Sequence, residues 1–273
     1  MFQTSAPRTA FGGFIQTAEL IFNVAVRDIR KAHGNAIMGL FMTMMQSVVM
    51  VLFFWIMLTV LKMRNTAVRG DFLLYSMTGI FMYMTHVKAI KAVTAAEGPT
   101  SAMMKHAPMN TIVAIAGQAL AALYQQFLSI CVILFVYHTC FREITIDQPI
   151  GAMGMLVMAW YSGLGIGMIF KALTPWSPNV FNILSTVYTR VDVIASGKMF
   201  LANATPTWLL SWFWWNPLFH IIDQQRGFVF LNYNPHYSNW LYPLWLSTVL
   251  IIIGMMMDTF TRKYASASWS AGK

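Results

Sequence analysis

The chain has 273 residues, 58% hydrophobic and only 10% charged, with a net charge of +9. A soluble domain carries roughly 25% charged residues, so an ordinary soluble globule is excluded and an all-α integral membrane protein is expected. The basic residues are scattered between apolar runs, with no basic stripe interleaved with stacking aromatics. That pattern excludes a nucleic-acid surface and assigns the cations to membrane topology.

Residues 1–10 form a polar lead. It lacks the charged start, short apolar core and small-residue cleavage site of a removable signal peptide. Residues 11–34 predict an amphipathic helix. Phe14, Ala18, Ile21, Phe22, Ala25, Val26 and Ile29 share one face, and Glu19, Asn23, Arg27, Arg30 and Lys31 fall mostly on the other. Such a helix lies in the membrane surface with its basic side toward the headgroups; the competing reading packs it on a partner subunit.

Residues 36–257 divide into six spans of one membrane domain that covers 1–273. The first is 36–61, followed by a polar hairpin with Lys62, Arg64, Arg69 and Asp71. The second is 72–87, ended by Lys88, whose long stem lets it reach the interface. Residues 88–108 are the most polar interior segment: Glu97-Gly98-Pro99 ends one helix, Thr100 or Ser101 caps a short new one, and Pro108 stops it. The third span is 109–141 and the fourth 150–170, where Gly163-Leu-Gly-Ile-Gly permits close approach of a neighbour. The fifth, 179–202, carries Arg190, Asp192 and Lys198. The sixth is 241–257, and 258–273 is a short basic tail.

Between the fifth and sixth runs lies 206–230. Trp208, Trp212, Trp214 and Trp215 crowd its first half. Tryptophan concentrates where apolar surroundings meet water. Asn216-Pro217 then interrupts the run, because proline removes a backbone donor and biases the preceding residue away from helix. The two pieces, 207–215 and 217–222, are each shorter than the ~20 residues of a span. They read as two short re-entrant helices that enter and leave one face of the bilayer, with Asp223 and Arg226 closing the second. A single span kinked at Pro217 is the competing reading. If helix continues to 215, Trp208, Trp212 and Trp215 share a face and Trp214 points away.

Catalytic and metal motifs are lacking: no HExxH, paired CxxC, GxSxG or phosphate loop occurs. Neither a bound cofactor nor enzymatic activity is expected of this chain, and ATP-driven movement requires ATP on another chain. Cys131 and Cys140 lie nine residues apart in one predicted helix, too far to bridge. The 22 methionines read as packing filler. Arg190 is the sharpest single residue, since a charge inside a span must be paired or wet. It reads either as a pore-facing cation or as the partner of a carboxylate on another helix or subunit.

Several ordered segments resemble the ABC-2 type permeases that export capsular polysaccharide and O-antigen in Gram-negative bacteria. Val26-Arg27-Asp28-Ile29-Arg30, with Gly39-Leu40 and Gln46, is similar to that family's interface helix and first span, although Ser47 stands where the family has proline. Met103-Met104-Lys105-His106-Ala107-Pro108-Met109-Asn110 sits where the family contacts its ATPase. Trp215-Asn216-Pro217-Leu218 with His220, Asp223 and Arg226 resembles its periplasmic re-entrant turn. The resemblance covers almost the whole chain and implies a half-channel. A homodimer in the bacterial inner membrane would form the pore, and a separate ABC ATPase subunit carrying ATP and Mg would dock below, at Glu97, Gly98, Ala102, Lys105 and Pro108. A lipid-linked or otherwise anchored glycan would pass Arg190, Trp208, Trp212 and Trp215. Two other classes remain open: a structural membrane subunit without a path, and a drug or lipid exporter of the same superfamily.

The basic start (Arg8, Arg27, Arg30, Lys31) and basic tail (Arg262, Lys263, Lys273) favour both termini in the cytoplasm, although the 62–69 hairpin argues the other way. Cysteines substituted at Arg64 and Lys105 and exposed to an impermeant thiol reagent in intact cells should label at 64 and not at 105; the reverse pattern would invert the topology.

Overall fold

The computed structural model describes residues 10–33, 36–60, 72–97 and 110–264. The 62–71 hairpin, residues 98–109 and the tail beyond 264 lie outside them. Nine α-helices are present among the described residues, and no strand: α1 Ala10–His33, α2 Ala36–Val60, α3 Phe72–Ala95, α4 Thr111–Cys140, α5 Pro149–Leu173, α6 Pro178–Ala195, α7 Thr207–Phe213, α8 Pro217–Val229 and α9 Leu241–Tyr264. Four segments are long and apolar enough to cross a membrane: Ile37–Met57, Thr111–Cys140, Pro149–Leu173 and Leu241–Thr261. The chain is therefore a membrane protein.

Proline punctuates the chain. Pro149, Pro178 and Pro217 each occupy the first turn of a helix, where a missing N–H costs nothing and the fixed φ suits the helix. Hydroxyls inside the helices turn back on their own carbonyls: Ser47 to Thr43, Ser76 to Phe72, Thr85 to Phe81 and Thr248 to Leu244, at 2.7–3.1 Å. This satisfies polar groups that have no water to bond.

Helix α3 is the central element, with sixteen of its 24 residues buried. It runs eight residues further than the 72–87 expected, because α4 and α5 still cover Ile90 and Val93 while Lys91 stays exposed. Helix α5 is gripped between α3 and α9. A Cβ at Gly163 would fall 2.4 Å from His86 O, one at Gly167 2.9 Å from Val93 Cβ, and one at Gly165 3.0 Å from Ser247 O. Gly163 and Gly167 share a face while Gly165 is on the opposite side, so the alternating glycines serve both neighbours at once. Helix α1 crosses α4 where Val24 meets Gly117. On α1, Val24 and Ala25 are buried against the bundle, while Phe14, Ala18 and Phe22 of the expected apolar face are exposed. The apolar arc is wide and the bundle takes only part of it.

One end of the bundle gathers the ends of α3, α5 and α9. Lys171 Nζ donates to Ala96 O, Trp176 Nε1 donates to Thr261 Oγ1 at 3.0 Å, and Thr261 Oγ1 donates to Ala172 O at 3.0 Å. Residues 258–264 thus continue α9 within the bundle, where a tail had been expected. At the opposite end Gln148 N donates to Phe228 O at 2.9 Å, joining the start of α5 to the end of α8. From there α8 runs alongside the first half of α3, and its N-terminal Asn216 bonds Asp192.

Gly163→Ala should lower the thermal midpoint of the detergent-purified protein by the equivalent of about 1–3 kcal/mol, the usual cost of overpacking. Gly154, with nothing within 4 Å of its Cβ position, should accept alanine unchanged or with a gain of up to ~1 kcal/mol from helix propensity. Equal shifts, read by tryptophan fluorescence in the same detergent, would contradict the close α3–α5 contact.

Candidate functional site

The Asn216-Pro217 elbow is built from the backbone outward. Asn216 Oδ1 accepts from Leu218 N at 2.9 Å and caps α8, and Pro217 occupies the first turn. Asn216 Nδ2 donates to Asp192 Oδ1 at 2.6 Å. His220 takes the Asn239 N–H on Nδ1 at 3.1 Å, which leaves Nε2 to donate to Trp214 O at 2.8 Å. Tyr242 OH donates to Trp215 O at 2.7 Å. The turn before α8 is therefore held from α6, α8 and α9.

Asp223 and Arg226 do not close the second short helix, as expected from sequence; α8 continues to Val229 and both side chains are buried. They fit because each is bonded from nearby, with Arg226 Nε left without a partner among the described residues. Asp223 accepts from Tyr233 OH and, at 2.7 Å, from Ser238 Oγ. Burial, then the neighbouring Asp223 carboxylate, pushes the Tyr233 phenol well up, so it stays a proton donor. Arg226 donates to Phe200 O and Lys198 O at 2.6 Å and to Gly197 O at 3.3 Å, with its guanidinium 4.2 Å from the Tyr75 ring centroid. Gly197, at φ 68°, makes the turn that aims these carbonyls.

Deeper lies a cluster of ionisable side chains. Ser162 Oγ donates to Ala159 O at 2.9 Å, so His86 Nδ1 is the donor to Ser162 Oγ at 2.8 Å. His86 Nε2 then faces Tyr188 OH at 3.3 Å and Asp192 Oδ2 at 4.0 Å. Tyr83 OH donates to Thr189 O at 2.9 Å. Lys198 is buried in the turn beyond α6, where Gly79 makes room for it. Its Nζ has no hydrogen-bond partner among the described residues and sits 3.4 Å from the Tyr83 centroid and 4.6 Å from that of Phe54. Burial works against the charge on Lys198, and the ring faces and the field of Asp192 offset part of that. Ser162, His86 and Asp192 stand in the order of a catalytic triad, but the first two are fully buried and no substrate reaches them. Among the described residues no cluster of His, Cys, Asp or Glu is placed to hold a metal.

Arg190 is exposed, on the side of α6 opposite Asp192. It continues an exposed polar stripe through Asn179, Asn182 and Thr186, flanked by exposed Val180, Ile183, Val187 and Ile194. Helix α6 ends at Ala195, so Arg190 lies in its penultimate turn and not at the middle of a 179–202 span. Trp208, Trp212, Trp214 and Trp215 are all more than half exposed. Their expected grouping is corrected: α7 ends at Phe213 with Trp214 as its cap, so Trp208 and Trp212 share a face while Trp215 lies beyond the helix. The extended residue before Pro217 forbids a longer helix. Glu97 Oε1 meets Arg27 Nη2 at 3.6 Å, tying the end of α3 to α1. Gly98, Ala102, Lys105 and Pro108 lie outside the described residues.

The inner cluster of His86, Lys198, Tyr83 and Ser162 was not singled out from sequence. Its signal was available in the ionisable residues within apolar runs, but Arg190 drew the reading outward. Comparison of the sequence with protein-family models and with curated proteins gives no match. Function is accordingly read from the geometry.

Lys198→Met leaves Asp192 in a site arranged for both charges, and Asp192→Asn does the converse. Lys198 and Asp192 sense each other's field without a direct ion pair, so each substitution should cost about 0.5–3 kcal/mol. The double variant should be less destabilised than the sum of the two. Additive losses in detergent unfolding would mean that the charges do not support one another.

Proposed function

We propose that the chain is the membrane subunit of an ATP-driven exporter, an ABC-2 type permease that works as a homodimer in the bacterial inner membrane. Its cargo is a polysaccharide of the capsule or O-antigen type, carried on a lipid or a similar anchor. The observation that carries this reading is the outer face of α6. In a membrane protein an exposed stripe of Asn179, Asn182, Thr186 and Arg190 is stable only against water or another chain. Two copies with this stripe facing inward enclose a wet path; the flanking Val180, Ile183, Val187 and Ile194 then meet lipid or the second copy.

In this reading six helices span: the four apolar segments together with α3 and α6. Helix α3 carries Lys88, half-buried, and exposed Lys91 toward its cytoplasmic end, and α6 tolerates Arg190 because the path is wet. Helices α7 and α8 form the re-entrant pair on the periplasmic face. Support comes from Asn216, whose bond to Asp192 puts the elbow beside a residue facing His86, about 21 Å along α3 from its start at ~1.5 Å per residue. Helix α1 lies at the cytoplasmic surface, with Phe14 and Phe22 toward lipid. Both termini are cytoplasmic. ATP and Mg belong to the partner ATPase, which meets the segment from Glu97 to Pro108. Exposed Trp208 and Trp212 offer flat faces for the C–H surfaces of sugars at the outer end.

In cells producing the glycan, Arg190→Ala should reduce surface polysaccharide several-fold at matched membrane levels, and Val191→Ala should leave it unchanged. The purified chain should bring down a phosphate-loop ATPase and stimulate its hydrolysis. Normal export by Arg190→Ala together with no ATPase would leave the structural-subunit reading. Loss of drug or lipid efflux without glycan accumulation on deletion would give the other exporter class.

A further inference from the structure

Helices α4 and α5 run beside each other yet barely touch. Three apolar cavities of about 220, 290 and 300 Å³ line the gap. The first two share Phe127, Met153 and Leu156, and the second and third share Leu120. Together they make one groove. Its floor at the first cavity is Met77 and Phe81 of α3, and exposed Cys131 and Met153 stand at its mouth. Both flanking helices are among the segments apolar enough to cross a membrane, so the mouth opens on hydrocarbon. Molecules at that depth are lipid chains.

The groove has a polar end. The first cavity reaches Ile146 and Pro149 at the end of the bundle and is also lined by Thr78 and Gln225. Thr78 Oγ1 is occupied by Tyr75 O at 2.7 Å. Gln225 is only 7% exposed, and its Oε1 has no hydrogen-bond partner. Of the buried polar atoms left without a partner among the described residues, it is the one that lines this cavity, and such an atom calls for a partner. From Leu134 to Leu120 the first two cavities follow α4 for about 21 Å at ~1.5 Å per residue. That exceeds half of a ~30 Å hydrocarbon core and matches the reach of one leaflet.

We infer that this groove is a phospholipid site. One acyl chain lies between α4 and α5 from Pro149 toward Leu120, and the glycerol-ester end meets the carboxamide of Gln225. A glycerol ester offers only acceptors, so the carboxamide turns by half and donates its N–H to the ester carbonyl. The inference needs only the membrane and does not depend on the exporter reading.

The test measures phospholipid retained by the full chain after purification in mild detergent, by native mass spectrometry. It also measures the thermal midpoint when dioleoyl phosphatidylglycerol is returned. The wild type should retain one tightly held phospholipid per chain, and its midpoint should rise with added lipid. Ala152→Leu, which fills the first cavity, and Gln225→Leu, which removes the polar end, should each lower retention several-fold and flatten the lipid response. Gly154→Ala, on the open side of α5, should behave as wild type. Should Ala152→Leu fail to fold, alkylation of Cys131 in folded Cys140→Ser protein closes the same mouth. Equal retention and equal midpoint response across wild type, filled, blocked and Gln225→Leu proteins would overturn the site. So would a lipid-free protein whose self-association is lost when the groove is filled, which would make the occupant a second copy.

Discussion

The guanidinium of Arg226 gathers three carbonyls of the turn that follows α6 and stacks on Tyr75 of α3. That one side chain decides much of the surrounding geometry. It fixes the left-handed Gly197 and thereby the course of Lys198, whose Cβ occupies the space that Gly79 leaves open. It also joins α8 to the end of α6, so that Asn216 can reach Asp192. Arginine suits the place because its rigid fork serves several acceptors while its plane rests on an aromatic ring. A lysine in the same position has one point charge to offer.

The same rule of internal satisfaction runs through the bundle. In surroundings without water a polar group needs a partner from the chain itself, and most find one close by. Serine and threonine return to their own helix. His86 and His220 each bond through both ring nitrogens, and Asp223 is held by two hydroxyls. Against that background two of the groups left open among the described residues are informative. Lys198 faces rings and a nearby carboxylate, and Gln225 borders an apolar groove. The polar stripe of α6 turns outward altogether.

Close packing and polar chemistry are linked at α5. Its glycines bring the backbone of α3 near enough for His86 to bond Ser162 and Ala159 O. A helix pair held further apart by side chains would leave that histidine without partners. The small residues therefore support both the α3–α5–α9 packing and the inner cluster at the side of α6.

The membrane character of this protein, its helical class, the breaks at Pro149, Pro178 and Pro217, and the elbow after the tryptophans were all readable from sequence. They follow from composition, run length and the local stereochemistry of proline, which act over a few residues. The glycine triplet of α5 was readable as a close approach, but its two partners were not, because a helix face does not name what packs on it. Tertiary structure alone decided that α3 is central and so runs past residue 87, that Asp192 faces inward while Arg190 faces out, and that α8 continues through Asp223 and Arg226. In sequence those charges look like stop signals. In the fold they are internal, because residues 26–29 positions earlier in the chain and 10–15 positions later supply the carbonyls and hydroxyls that replace water. Such long-range compensation has no local pattern, so only the assembled bundle shows where a charge can be buried.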